Sequence, residues 1–186
     1  QAGVAATDLP ADLQALASDP GSIDVQHDFD ATALSPQLAA PHSPAHGVPI
    51  ADHAETRIDV AYIGACTGAK LDDLRFAASV LKGRKIAAGV QLMVAPASLQ
   101  DRAAAEREGI MQILTDAGAS VLPSTCGACA GYGDSFADGQ TVISSTARNF
   151  RGRMGPPGTQ VFLGSAYTVA ASALRGRLTA PGTVLG

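Results

Sequence analysis

The stretch Ile58-Asp59-Val60-Ala61-Tyr62-Ile63-Gly64 runs directly into Ala65-Cys66-Thr67-Gly68-Ala69-Lys70, and then into Leu71-Asp72-Asp73-Leu74-Arg75-Phe76-Ala77-Ala78-Ser79-Val80-Leu81. Its first part is a short apolar run closed by glycine, the signature of a buried strand. Its last part places apolar residues at 71, 74, 78 and 81, which is one face of a helix. Asp72 and Asp73 fall in the first turn and Lys82-Gly83-Arg84 at the end, as the helix dipole and the preference for a terminal glycine require. A strand, a cysteine-bearing loop and a helix therefore follow one another within thirty residues, give or take a few.

Working outward toward the C-terminus, the same unit repeats. Residues 90–95 form a second β run. Ser98 then stands three residues before Asp101 as a helix cap, and apolar Ile110, Ile113, Leu114 and Ala117 face inward before Gly118. Gly109 is expected to divide this helix in two. Residues 120–122, 141–144 and 160–163 supply three more β runs, and a helix over 165–174 ends before Gly176. Strand and helix in alternation predict an α/β fold: a three-layer α/β/α domain around a mostly parallel sheet, spanning residues 51–186.

Toward the N-terminus the character changes. Pro10, Pro20, Pro36, Pro41, Pro44 and Pro49 recur through residues 1–50, which removes ladder donors and interrupts helices. A short helix at 9–17 and a strand at 23–29 are expected there, within a proline-rich extended arm that packs on the domain or on a partner. His27, His42, His46 and His53 read as surface residues rather than ligands.

Composition narrows the function classes. The 186 residues are 46% hydrophobic and 16% charged, enough for a buried core. A net charge of -4 offers no basic footprint for nucleic acid. The longest apolar stretch, 161–174, is broken by Gly164, Ser165, Tyr167 and Ser172, so no membrane span is expected. Three cysteines are an odd and small number for a secreted scaffold, which points to a reducing, cytoplasmic setting. The chain opens at Gln1 without a methionine, as expected of a piece of a longer protein.

In parallel sheets, ligands bind beyond the carboxyl ends of the strands. Cys66 follows the first strand of the repeat. Cys126-Gly127-Ala128-Cys129 follows the third, and Arg148-Asn149-Phe150-Arg151-Gly152-Arg153 follows the fourth. All three thiols and three guanidinium groups thus fall at one edge of the predicted sheet. Soft sulfur among small residues suits an iron–sulfur cluster or zinc. A redox pair and plain structural thiols are the other readings of a Cys-x-x-Cys. The arginines read either as a solvated loop or as forks for carboxylates.

These three motifs, in this order and spacing, resemble the aconitase superfamily of [4Fe–4S] hydro-lyases, and within it most closely the 3-isopropylmalate dehydratase large subunits. The likeness runs from about Asp19 to about Leu178. It implies a fold like the third, cluster-binding domain of aconitases. It also implies that Cys66, Cys126 and Cys129 ligate three irons of a [4Fe–4S] cluster whose fourth iron meets substrate. Arg148 and Arg153 correspond to arginines that hold substrate carboxylates, with Asn149, Thr67 and Gly127 in supporting places. The substrate class would be a hydroxy-di- or tricarboxylic acid that is dehydrated or isomerised.

The partners implied are the remaining domains or a small subunit of the same enzyme, because the acid–base residues and the serine-bearing domain of the superfamily cannot fit in this chain. By itself the chain is expected to be inactive and, purified in air, to lack an intact cluster. Ala65, Gly68 and Ala147 stand where the superfamily usually has serine or asparagine, which points to a divergent substrate. Outside the resemblance, two other classes remain: a non-catalytic zinc or redox module, and an interaction domain without metal.

Overall fold

In a computed structural model of the chain, the residues described are 21, 24–132 and 136–185. The chain divides into two compact units, Gln1–Leu34 and Ser35–Gly186. In the first unit, Asp30 caps a one-turn 3-10 helix, Ala31–Ala33, and accepts hydrogen bonds from the Thr32 hydroxyl and backbone N–H. Those two bonds, the hydroxyl first, hold the Asp30 carboxyl below its usual range. The strand expected at 23–29 does not form over 24–29: these residues are exposed, and no ladder partner stands beside them. The helix expected at 9–17 lies outside the described residues.

The second unit is built on a seven-stranded sheet. Its strands are β1 (Gln37–Ala39), β2 (Gly47–Pro49), β3 (Val60–Ile63), β4 (Gln91–Val94), β5 (Ala119–Val121), β6 (Thr141–Ser144) and β7 (Gln160–Leu163), in the order β2-β1-β7-β6-β3-β4-β5. From β7 to β5 every pairing is parallel. All four residues of β3 are buried, as befits the central strand of a parallel sheet covered on both faces.

The helices are α1 (Ala65–Gly68), α2 (Leu71–Leu81), α3 (Leu99–Arg107), α4 (Ile110–Ala117) and α5 (Ala166–Arg175). Local chemistry explains their bounds. The Asp73 carboxylate accepts from the Lys70 N–H at 3.1 Å, opening α2. Ser98 Oγ accepts from the Asp101 N–H, and Ser165 Oγ from the Thr168 N–H. Gly109 separates α3 from α4, as its place in the sequence predicts.

Strand alternation sends Ala61, Ile63, Leu92, Val94, Ile143 and Phe162 to one face, where they pack with the buried sides of α2, α4 and α5. The other face carries Val60, Tyr62, Met93, Val142 and Val161. It is covered by Ala128, Cys129, Phe136 and Met154, which come from the connections before and after β6. Among the described residues this outer layer is made of loops and one 3-10 turn, Gly127–Ala130, where the others are made of helices or strands.

The proline-rich segment holds an addition that composition alone does not announce. β1 and β2 form an antiparallel hairpin, and β1 joins the sheet antiparallel to β7 through Ala39 and Leu163. Pro49 is tolerated because β2 is the edge strand. Asn149 holds the junction: its buried amide donates to the carbonyls of Ala40 at 2.8 Å and Val161 at 2.9 Å.

Candidate metal centre

Register brings the motifs level. Ile63 pairs with Val94, Val94 with Val121, Tyr62 with Ser144, and Ser144 with Leu163, so the strands end together at one edge. The loops bearing Cys66, Cys126, Cys129 and Arg148 all leave from that edge.

The first loop is wound tightly. Gly64 caps α1, and Ala65 takes a left-handed φ of 65°, which costs a non-glycine residue roughly 1–2 kcal/mol. Strain of this kind persists where surrounding bonds over-determine it, and here Ser145 does so. Its hydroxyl accepts from the Gly64 N–H at 3.1 Å and donates to the Gly68 carbonyl at 2.6 Å, bracketing the turn that presents Cys66 and Thr67. A Cβ at Gly68 would lie 1.9 Å from the Ser145 carbonyl oxygen, so only glycine fits this approach. The result leaves Cys66 and Thr67 exposed on a turn fixed at both ends.

The second loop turns back on itself: the Cys129 N–H donates to the Cys126 carbonyl at 2.9 Å, and the Tyr132 N–H to that of Gly127 at 3.0 Å. Cys126 is exposed, while Cys129 is buried in the cluster with Tyr62 and Phe136. The third loop passes close by, since a Cβ at Gly131 would lie 3.0 Å from the Arg153 carbonyl oxygen. Arg148 and Arg151 are exposed. Arg153 is half-buried, and its Nε is buried with no hydrogen-bond partner. Asn149 is buried and serves the hairpin junction.

Between the cysteine loops stands Tyr62. Its ring is fully buried and meets Phe136 edge-on, with centroids 5.9 Å apart. A Cβ at Gly64 would lie 2.3 Å from that ring, so the loop can pass only as glycine. Burial first, and then the charges that Cys129 and Cys126 would carry as thiolates, push the phenol up to about 12. Beside it lies a hollow of about 280 Å³ bordered by Met93, Leu122, Ala128 and Tyr132.

Among the described residues, no three His, Cys, Asp or Glu side chains converge closely enough to share one metal ion. All three cysteines are free thiols. A cubane makes a different demand, because its cysteine ligands sit on separate irons and need not meet at a point. The donor chemistry of the edge fits such a group: three thiols and, among the described residues, three buried donors without partners, Tyr62 Oη, Ser124 Oγ and Arg153 Nε, beside one unpartnered acceptor, Asn149 Oδ1. Sequence reading passed over Ser145 and Tyr62. Ser145 lay hidden in a polar run, and Tyr62 in a strand whose alternation marks it only as core.

Comparison with known proteins adds to this picture. The aconitase family (aconitate hydratase) matches residues 51–176. The 3-isopropylmalate dehydratase large subunit 1 of Pyrococcus furiosus is 43% identical over 161 residues, covering 85% of this chain and 38% of that protein. The large subunit from Picrophilus torridus is 46% identical over 155 residues, covering 83% of this chain and 37% of its own length. That from Moorella thermoacetica is 40% identical over 179 residues, covering 95% and 42%. The chain thus spans about two fifths of the length of the curated relatives it matches.

Proposed function

The chain belongs to the aconitase family, and from that premise we propose that it is the cluster- and substrate-binding part of a [4Fe–4S] hydro-lyase acting on a hydroxylated di- or tricarboxylic acid. The observation that carries this reading is the common departure of the Cys66 loop and the Cys126–Cys129 turn from one sheet edge, with Arg153 running beside that turn. In this reading Cys66, Cys126 and Cys129 hold the cluster. When bound, it supplies a Lewis acid for the departing hydroxyl.

The chain's own contribution is to position. Ser145 and the Gly68 contact keep the Cys66 turn in one conformation, so one thiol is presented without an ordering cost on loading. Arg148 and Arg153 offer planar forks to substrate carboxylates, with Thr67 and Gly127 shaping the loops around them. The base that takes the substrate proton belongs to the rest of the enzyme, either further domains or the small subunit that the relatives' name implies. The 186 residues alone are accordingly inactive as a dehydratase.

The test is anaerobic supply of iron and sulfide to the purified chain, followed by iron, sulfide and zinc quantification. Near-stoichiometric iron and sulfide with broad visible absorption is expected. Zinc alone, or no metal, would overturn the reading. In the assembled hydro-lyase, Arg148→Lys and Arg153→Lys should each lower kcat/KM roughly tenfold to a hundredfold. Both keep the charge and lose a fork, and a charge-assisted hydrogen bond of about 1.5–3 kcal/mol goes with it. Arg151→Lys should stay near wild type. Unaltered kinetics in the first two variants would remove them from the substrate site.

A further inference from the structure

Tyr62 is a buried donor for which the described fold provides no acceptor. Its place is imposed from several sides. β3 alternation directs it to the loop-covered face, Phe136 meets its ring, and its own carbonyl accepts the Ser145 N–H at 3.0 Å. The hydroxyl lies between the two cysteine loops: a Cβ at Gly64 would be 2.6 Å from it, and one at Gly127 would be 3.8 Å away. There it has no hydrogen-bond partner among the described residues.

A phenol hydroxyl buried in this way has no partner among the described residues, whereas phenylalanine would fill the same space without that cost. The hydroxyl lies beside the turn that carries Cys126 and Cys129, since a Cβ at Gly127, next to Cys126, would be 3.8 Å from it, so sulfur of a group held by that turn is the acceptor it would meet. The geometry points to Tyr62 Oη as a hydrogen-bond donor to the sulfur of the iron–sulfur group held at this edge, a positioning residue that retains the group and raises its reduction potential. This inference rests on the cluster reading above. A donor to sulfur stabilises the more negative, reduced cluster over the oxidised one, and hydrogen bonds to the sulfurs are among the determinants of these potentials.

The test compares Tyr62→Phe with wild type, each metal-free and each loaded anaerobically with iron and sulfide. Metal-free, the variant should melt at or above the wild-type temperature, because the hydroxyl has nothing to lose there. Loaded, it should release iron to a chelator about tenfold faster, the size expected for one lost bond to a charged acceptor. Its preference for the reduced cluster should fall by a similar factor, which for one electron lowers the potential by about 59 mV.

A lower melting temperature or a failure to fold in the metal-free variant would mean that the hydroxyl serves the fold, and would overturn the inference. Equal release rates and potentials in the loaded pair would overturn it too, while leaving the cluster reading intact. Failure of the wild type to take up iron and sulfide would overturn the cluster reading itself, and this inference with it.

Discussion

Cys126→Ala, supplied anaerobically with iron and sulfide, is expected to take up almost no cluster, while its fold stays that of the wild type. Cys126 is exposed, so removing its sulfur should change stability by no more than about 0.5 kcal/mol. Binding should collapse, because a cubane anchored by two thiolates lacks the third fixed point, and ligand binding energy is large compared with any packing term. Cys66→Ala should behave in the same way, since that thiol is also exposed.

Cys129 is the contrasting case. At 8% exposure it packs with Tyr62, Phe136 and Met154, so Cys129→Ser buries a hydroxyl among apolar groups and should cost about 1–3 kcal/mol in addition to the cluster. Iron and sulfide analysis alongside a thermal melt separates the two effects. Full iron content in Cys126→Ala would exclude it from the ligand set.

Asn149→Ala should be the most damaging polar substitution for the fold. The amide bridges Ala40 and Val161 inside the protein at 1% exposure, and β1 meets β7 at a single registered pair, Ala39 and Leu163. Truncation leaves two buried carbonyls without a donor, at about 1–2 kcal/mol each. For a chain of this length, about 2–4 kcal/mol corresponds to a melting temperature lower by roughly 5–15 °C. Hydrogen exchange should accelerate first in β1 and β2, whose attachment to the sheet depends on this side chain. A melt within a degree or two of wild type, with unchanged exchange in the hairpin, would show that the junction is held by the apolar packing of Leu38 instead.

In the proposed reading, the motif Arg148-Asn149-Phe150-Arg151-Gly152-Arg153 serves two purposes at once. Asn149 turns inward to the sheet, while Arg148 faces solvent and Arg153 lies against the cysteine turn. A loop pinned by its second residue delivers its neighbours to one place. Loss of activity in an Asn149 variant would then follow from displaced arginines rather than from a missing substrate contact.

By itself the sequence determined the elements whose pattern is local. The apolar spacing from Leu71 to Leu81 marks the helix end to end, residues 141–144 and 160–163 are strands as read, and Ser98 and Gly109 act where their chemistry places them. Because each strand is followed by its motif, the convergence of the cysteine and arginine loops on one edge was legible too. The tertiary structure alone decided what depends on partners far away in the chain. The hairpin at 37–49 has strands of three residues, too short for a periodicity, and exists because β7 offers an edge and Asn149 a clamp. Ser145 brackets a turn some eighty residues earlier, and Tyr62 holds a hydroxyl with no acceptor among the described residues, between two loops that meet only in the fold. Burial patterns repeat along a chain and can be read from it, whereas a hydrogen bond between distant residues leaves no local period.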